Sequence, residues 1–437
     1  MNKIQNLLCK PKDIFYGWIV VACSGVILFV AFGSAYSFTT FFESLQDEFH
    51  TTRGSTSIVF AIAGFLYFSL GALSGRIADR IGSKRVITFG VFVIGAGLLL
   101  ASRAATLGQI YAIYGIGIGI GVGFTYVPAV GVVQRWFVRR RGLASGLAVT
   151  GIGLGTLAMP VFSALLIHWS GWRAAYLLMG LFVLACGICA ALLIVETPEA
   201  LDLQPDGDPI KEDPITPEQQ KHSVNVFING QDITLKETLQ AKPFWLLYAG
   251  TFSSSVGLFI PFVHMLPYSS DIGLSTSTGV MLFSLIGIGS TIGRFLIGGM
   301  ADRFGRRRSL VGMYAGVAAM LAWWLVATRV WQLVIFTFIF GTCYGGFVAL
   351  LPAVTADYFN GPNITGIIGA LYTSVALGAL IGPSLAGFMF DLQQSYSIPI
   401  IVGTIAALSA AVSAALLEDP GKWRESLVLS HKKIKRF

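Results

Sequence analysis

Charge is what this chain has least of. Only 12% of its 437 residues are Asp, Glu, Lys or Arg, about half the share of an ordinary soluble domain. So little charge cannot cover a water-exposed globular surface. With 54% hydrophobic residues and a mean hydropathy of +0.72, the chain reads instead as a membrane protein with many spans. Cysteine and histidine are sparse too, five of each. Their spacing builds neither a disulfide framework nor a four-ligand metal site, so neither a metal nor another cofactor is expected. Cys186 and Cys189 form a CxxC, but inside ACGICAALL a pair of small polarisable packing residues is the better account. No nucleophile elbow is present, and no paired acid and base sits at membrane depth, so catalysis is not expected. The run GIGIGIGVG at Gly115 to Gly123 imitates a dinucleotide loop, yet no strand or βαβ unit surrounds it. Small residues at four-residue spacing predict close helix packing there.

What the chain does have is long apolar runs. Taking about 20 residues as a span predicts twelve, near 15–40, 55–76, 84–103, 107–134, 142–167, 172–195, 243–267, 276–299, 309–328, 331–356, 364–390 and 397–417. The first stays as a helix, because Phe15 to Phe42 is too long for a signal-peptide core. Basic residues fall mostly on one side of this arrangement: Lys3, Lys10 and Lys12, then Arg76 to Arg85, Arg135 to Arg141, Arg303 to Arg308 and the tail from Lys422. The other side carries Arg53, Arg103, Arg173 and Arg329. The positive-inside rule therefore predicts cytoplasmic termini in a plasma membrane. The net charge of +8 then reflects topology and the lipid bilayer, and no nucleic-acid partner is expected.

Composition changes abruptly between spans six and seven. Five prolines among acidic residues mark 196–242 as a cytoplasmic linker, whose end, DITLKETLQAKPFW, has the spacing of a short surface helix. The linker separates a six-helix bundle at 1–195 from a second at 243–437. The two bundles repeat. Gly75 to Arg85 matches Gly298 to Arg308 at a separation of 223, and the same offset carries Gly146, Thr150, Gly155 and Pro160 onto Gly369, Thr373, Gly378 and Pro383. Such a duplication predicts two halves that rock about a site at the membrane midplane.

The repeated turn has its own mechanics. Asp79 and Arg80, with Asp302 and Arg303, sit where acids can pair with arginines and cap neighbouring helices while a gate is closed, which makes them gating candidates. These residues resemble the loop motif of the major facilitator superfamily and its echo in the second half. Tyr16-Gly17-Trp18 and the stretch Trp136 to Gly151 are similar to the two motifs of the monocarboxylate porters, with the oxalate/formate antiporters as cousins. The resemblance implies an all-α transporter of small organic monocarboxylate anions, with the arginine of helix eight holding the carboxylate. Here that residue is Arg294.

Arg294 also stands out without any relative. It lies midway along a span, where a guanidinium costs at least ~2.5 kcal/mol, and such charges mostly face cavities and hold anions. Its repeat counterpart is Gly71, and no Asp or Glu lies in the interior of another span to neutralise it. Tyr36, Tyr126, His264, Tyr344 and Tyr372 fall at comparable depth; relatives place aromatics on helices one, four and ten, which favours Tyr36, Tyr126 and Tyr344. His264, the one histidine well inside a span, is the candidate for coupling to a proton and for touching the substrate, while Pro261 and Pro267 on either side make it equally a partner for the backbone groups they free. Two departures from the relatives stand beside this. Tyr36 replaces the helix-one lysine and Ser290 the helix-eight aspartate of the animal porters, and Asn363 to Asp391 holds no cation like that of the oxalate antiporter. The expectation is a proton-coupled monocarboxylate symporter, with anion exchange second and a non-transporting anion sensor third.

Overall fold

The computed structural model describes residues 15–137, 140–207, 235–359 and 364–423. Among them every regular element is helical. The N-terminal lysines, most of the basic tail and the middle of the linker lie outside the described residues. The first half comprises α1 (Tyr16–Phe49), α2 (Arg53–Ile81), α3 (Ser83–Ala101) and α4 (Leu107–Trp136). The stretch Arg141–Leu193 turns at Gly171, φ 76°, into α5 (141–170) and α6 (172–193). The second half comprises α7 (Lys242–Asp271), α8 (Thr276–Phe304), α9 (Arg306–Val326), α10 (Val330–Tyr358), α11 (Ile364–Gln393) and α12 (Ser397–Ala415). The helices overrun the apolar runs at their ends, α2 to Ile81 and α8 to Phe304, because charged residues there continue the helix into the interface. The predicted surface helix forms at Leu235–Gln240, and the Trp245 indole donates to Leu239 O at 2.8 Å.

The repeat is written into the backbone as well as the residues. Left-handed or extended positive-φ residues recur at the 223 offset: His50 and Gly273, Gly82 and Gly305, Gly171 and Gln394. Helix starts obey it too, with Thr52 capping Ser55 N before α2 and Ser275 capping Thr278 N before α8. Both α1 and α7 are interrupted at half height, near Ser37 and Phe259. Breaks of this kind at the bilayer midplane mark the substrate level in transporter folds.

Packing depends on small residues. Along α4, Gly115, Gly119 and Gly123 lie against α2, where an added Cβ would stand 3.3 Å from Val59 O, 3.1 Å from Ala63 O and 3.4 Å from Tyr67 O; Gly121 faces α3, 2.8 Å from Gly90 O. Two interleaved glycine rows thus let one helix touch two neighbours. The halves meet mainly where α5 crosses α8 and α2 crosses α11: a Cβ on Gly287 would stand 2.7 Å from Leu157 N, and one on Gly387 2.7 Å from Arg53 O. We call the end carrying residues 15 and 423 the terminal end, and the opposite end distal.

Candidate functional site

At the level of the helix breaks a cavity lies between the halves. Phe32, Phe68, Tyr126 and Ile152 line it from the first half, and Phe259, Arg294, Tyr344, Phe347, Val348, Tyr372 and Val375 from the second. Among the described residues Arg294 is the one charged residue in this lining. Its Nη1 donates to Val149 O of α5 at 3.0 Å, which fixes the guanidinium across the α5–α8 crossing. Nε and Nη2 are buried and make no hydrogen bond of good geometry, although the Tyr344 hydroxyl is close enough to the guanidinium to interact with it, and among the described residues no carboxylate pairs with the group. These two donors form the parallel side edge of the fork, which matches the two oxygens of one carboxylate. A buried donor left unmade costs about 1–3 kcal/mol, more for a charged group, a demand that the oxygens of an anion would meet.

Phenols surround the fork. Tyr126, Tyr344 and Tyr372 line the cavity with Arg294, whereas Tyr36 is outside the lining and reaches it through Tyr344. Tyr36 Oη and Tyr344 Oη are 2.9 Å apart, a hydrogen bond from α1 to α10 and so from half to half. Tyr372 stacks on Phe68 of α2 with 6.0 Å between ring centroids and lines the cavity, a place the comparison of helices had favoured less. The phenylalanines of the wall were missed altogether. Nothing distinguishes them in the sequence, since inward and lipid-facing positions are both apolar in a membrane helix.

His264 lies elsewhere. It is fully buried but is not part of the Arg294 cavity. Its Nδ1 is 3.1 Å from Tyr396 Oη, and its Nε2 is 2.9 Å from Pro383 O and 3.2 Å from Ser57 Oγ. Pro383 O can only accept, so Nε2 carries the proton and Nδ1 accepts from Tyr396. Both ring nitrogens are thus bonded within the protein, and the ring does not stand beside the anion seat. The gating residues also differ among themselves. Asp79 pairs with Arg135 of its own half at 3.1 Å, and Arg80 and Arg303 are exposed. The Asp302 side chain lies outside the described residues. In the second half the terminal-end pair is Arg306 with Asp357, 2.8 Å, again within one half.

The two motif stretches meet each other at the terminal end. Trp18 and Phe137 rings are 4.8 Å apart, and Tyr16 and Trp136 rings 5.6 Å, while Trp136 Nε1 donates to Val195 O at 2.9 Å. Their place is a clamp of α1, α4 and the end of α6, remote from the cavity.

The family profile described as Major Facilitator Superfamily matches residues 24–298 and 281–435. The chain belongs to the Major Facilitator Superfamily. Within it the chain is similar to Monocarboxylate transporter 12-B of Danio rerio, 28% identical over 416 residues that cover 92% of this chain and 87% of that one. It is also similar to Monocarboxylate transporter 2 of Homo sapiens, 26% identical over 398 residues, 88% and 82% of the two chains. Among solved structures it resembles a bacterial homolog of the human lysosomal transporter Spinster, described as inward-facing and unoccupied. That match has a TM-score of 0.67 and 14% identity, covering 93% of this chain and 98% of the other. This facilitator is a multi-pass membrane transporter related to monocarboxylate transporters.

Proposed function

We propose that this facilitator carries a small monocarboxylate of the lactate, pyruvate or formate type across the plasma membrane by alternating access, with a proton as the co-transported ion and both termini cytoplasmic. The carrying observation is Arg294: a fixed guanidinium whose Nε and Nη2 edge is buried, unpartnered and aimed into an aromatic cavity between the halves. One fork takes one carboxylate. The rest of the wall is phenyl, phenol and aliphatic, which suits an apolar tail and, among the described residues, offers no second cation to a second negative charge. Residues 1–195 and 243–437 are the rocking units, joined by 196–242. The names of the similar transporters support the same substrate class.

Anion exchange is the second reading, because among the described residues the cavity wall contains neither a carboxylate nor a histidine to hold a proton beside the substrate. Proteoliposomes decide between them and test the first. Counterflow of labelled lactate, pyruvate and formate, with oxalate excluded, is the expected result, together with accumulation driven by an inward proton gradient. Counterflow without gradient-driven accumulation selects exchange, and oxalate outcompeting the monocarboxylates overturns the substrate class.

A further inference from the structure

The distal end carries a second polar network that the substrate site does not use. At its centre is Arg53, the first residue of α2, with a side chain only 12% exposed. Both of its terminal nitrogens bond Asp271 of α7 at 2.6 Å, and Nη1 also donates to Tyr396 Oη at 2.8 Å. The guanidinium carbon sits 3.9 Å over the Phe390 ring. Asp391 of α11 completes the contact from the other direction: Oδ1 accepts from Arg53 N at 2.9 Å and Oδ2 from Gly54 N at 2.8 Å. Two carboxylates of the second half therefore grip the start of one helix of the first. One holds its side chain and the other its free N–H groups, where the helix dipole favours negative charge.

The duplication explains why these bonds cross between halves. The 223 offset carries Glu48 onto Asp271 and Arg173 onto Tyr396. In the first half the acid is satisfied locally, with Glu48 and Arg173 paired at 2.8 Å. In the second half a tyrosine stands where that arginine would be, and the orphaned acid reaches across to Arg53. His168 occupies the position equivalent to Asp391, so the second grip is also peculiar to one half. Among the described residues, the charged pairs at the terminal end stay inside a half, whereas Arg53 joins the halves at the distal end.

From this asymmetry we infer that Arg53, Asp271 and Asp391 form the distal lock of the transport cycle and that protons arriving from the distal side open it. The inference rests on the transport reading but not on the identity of the substrate. Ionised carboxylates hold the lock; a protonated Asp271 loses its charge toward Arg53, and a protonated Asp391 can no longer present two accepting oxygens to the helix start. His264 and Ser57 complete the seam. Tyr396 accepts from Arg53 and donates to His264, so a proton added at Nδ1 of His264 breaks the chain of donors as well. The other phenols nearby, Tyr111 and Tyr268, donate to the carbonyls of Ser55 and Ala327 and place no charge on the lock. Acid thus acts in one direction only, toward the state open at the distal end.

The test is the distance between spin labels on cysteines introduced at the exposed Ala105 and Thr328, one in each half, in the full chain with its native cysteines replaced. Lowering the pH from about 7 to about 4 is expected to lengthen the distal distance. Asp271→Asn and Asp391→Asn are each expected to raise the open-to-closed ratio roughly tenfold at neutral pH, as one charge-assisted hydrogen bond is lost. Glu48→Gln removes an equivalent acid paired inside one half and is expected to leave the ratio unchanged. Exchanging the charges, Arg53→Asp with Asp271→Arg, restores closure. A distance unmoved by pH and by both asparagine variants overturns the lock, as does an equal response to Glu48→Gln. Counterflow measured on the same samples reports the transport reading separately.

Discussion

Tyr36 of α1 and Tyr344 of α10 touch through their hydroxyls at 2.9 Å, and this bond ties the two halves together beside the Arg294 fork. Because one phenol must be the donor and the other the acceptor, removing either hydroxyl removes the whole contact. Tyr36→Phe and Tyr344→Phe are each expected to weaken substrate affinity by a few-fold, in line with about 0.5–1.5 kcal/mol for a neutral hydrogen bond. The double variant should be no worse than the poorer single one. Counterflow at varied substrate concentration checks the cycle, and additive losses would show that the hydroxyls act separately.

The apolar wall makes a prediction about tails. Phe32, Phe259 and Phe347 offer only hydrocarbon to whatever follows the carboxylate. Across formate, acetate and propionate, competition against a labelled substrate should improve by about fourfold per added carbon, from ~0.8 kcal/mol for each buried methylene, until the cavity is full. Formate binding tightest would contradict a seat in which the phenyl groups contribute.

Closure between the halves depends on backbone contact at the α5–α8 crossing. A Cβ at Gly287 would stand 2.7 Å from Leu157 N and 2.9 Å from Gly153 O, atoms that no side-chain rotation can move away. Gly287→Ala should therefore disfavour the closed distal end and slow turnover strongly, while leaving the Arg294 fork intact. At Gly153 the nearest atom is the Thr291 hydroxyl, so Gly153→Ala combined with Thr291→Ala should transport better than Gly153→Ala alone. Uptake rates of the four proteins test the contrast.

His264 contributes to the seam and not to the seat. Replacing it with Phe takes away the acceptor of the Tyr396 hydroxyl and one donor to Pro383 O, although Tyr396 still accepts from Arg53, and each lost hydrogen bond costs about 0.5–1.5 kcal/mol. The expected result for His264→Phe is a lower thermal midpoint with substrate affinity kept within a few-fold. A large loss of affinity with unchanged stability would return His264 to the substrate site.

Much of this was legible in the residues. The twelve spans, the duplication and the isolated Arg294 all follow from features that sequence records directly: apolar run length, a constant offset and a charge out of place. Faces were not legible. In water an inward face is apolar and an outward face polar, but in lipid both are apolar, so nothing separated Phe32 or Phe347 of the wall from phenylalanines that face the bilayer. Tyr372 was placed behind Tyr36, Tyr126 and Tyr344 because relatives carry their aromatics on other helices, and its contact with Phe68 exists only once α11 crosses α2. His264 stands out in the sequence by its depth and its titratable ring, and neither distinguishes a cavity from a seam. Arg53 was visible as one of few cations on its side, yet its partners stand 218 and 338 positions away. The signal that would have found them is the repeat itself, since the same offset pairs Glu48 with Asp271 and Arg173 with Tyr396.

Substrate binding to Arg294→Lys measures whether the side edge of Arg294 holds one carboxylate. Lysine keeps the charge but not the parallel pair of donors, and it cannot span both Val149 O and a bound anion in the same plane. Titration calorimetry of the purified protein with lactate, pyruvate and formate should show affinity falling roughly 10- to 100-fold in Arg294→Lys, the weight of one charge-assisted hydrogen bond. Arg294→Lys binding these acids as tightly as the unchanged protein would contradict the account, and would place the anion on some other group.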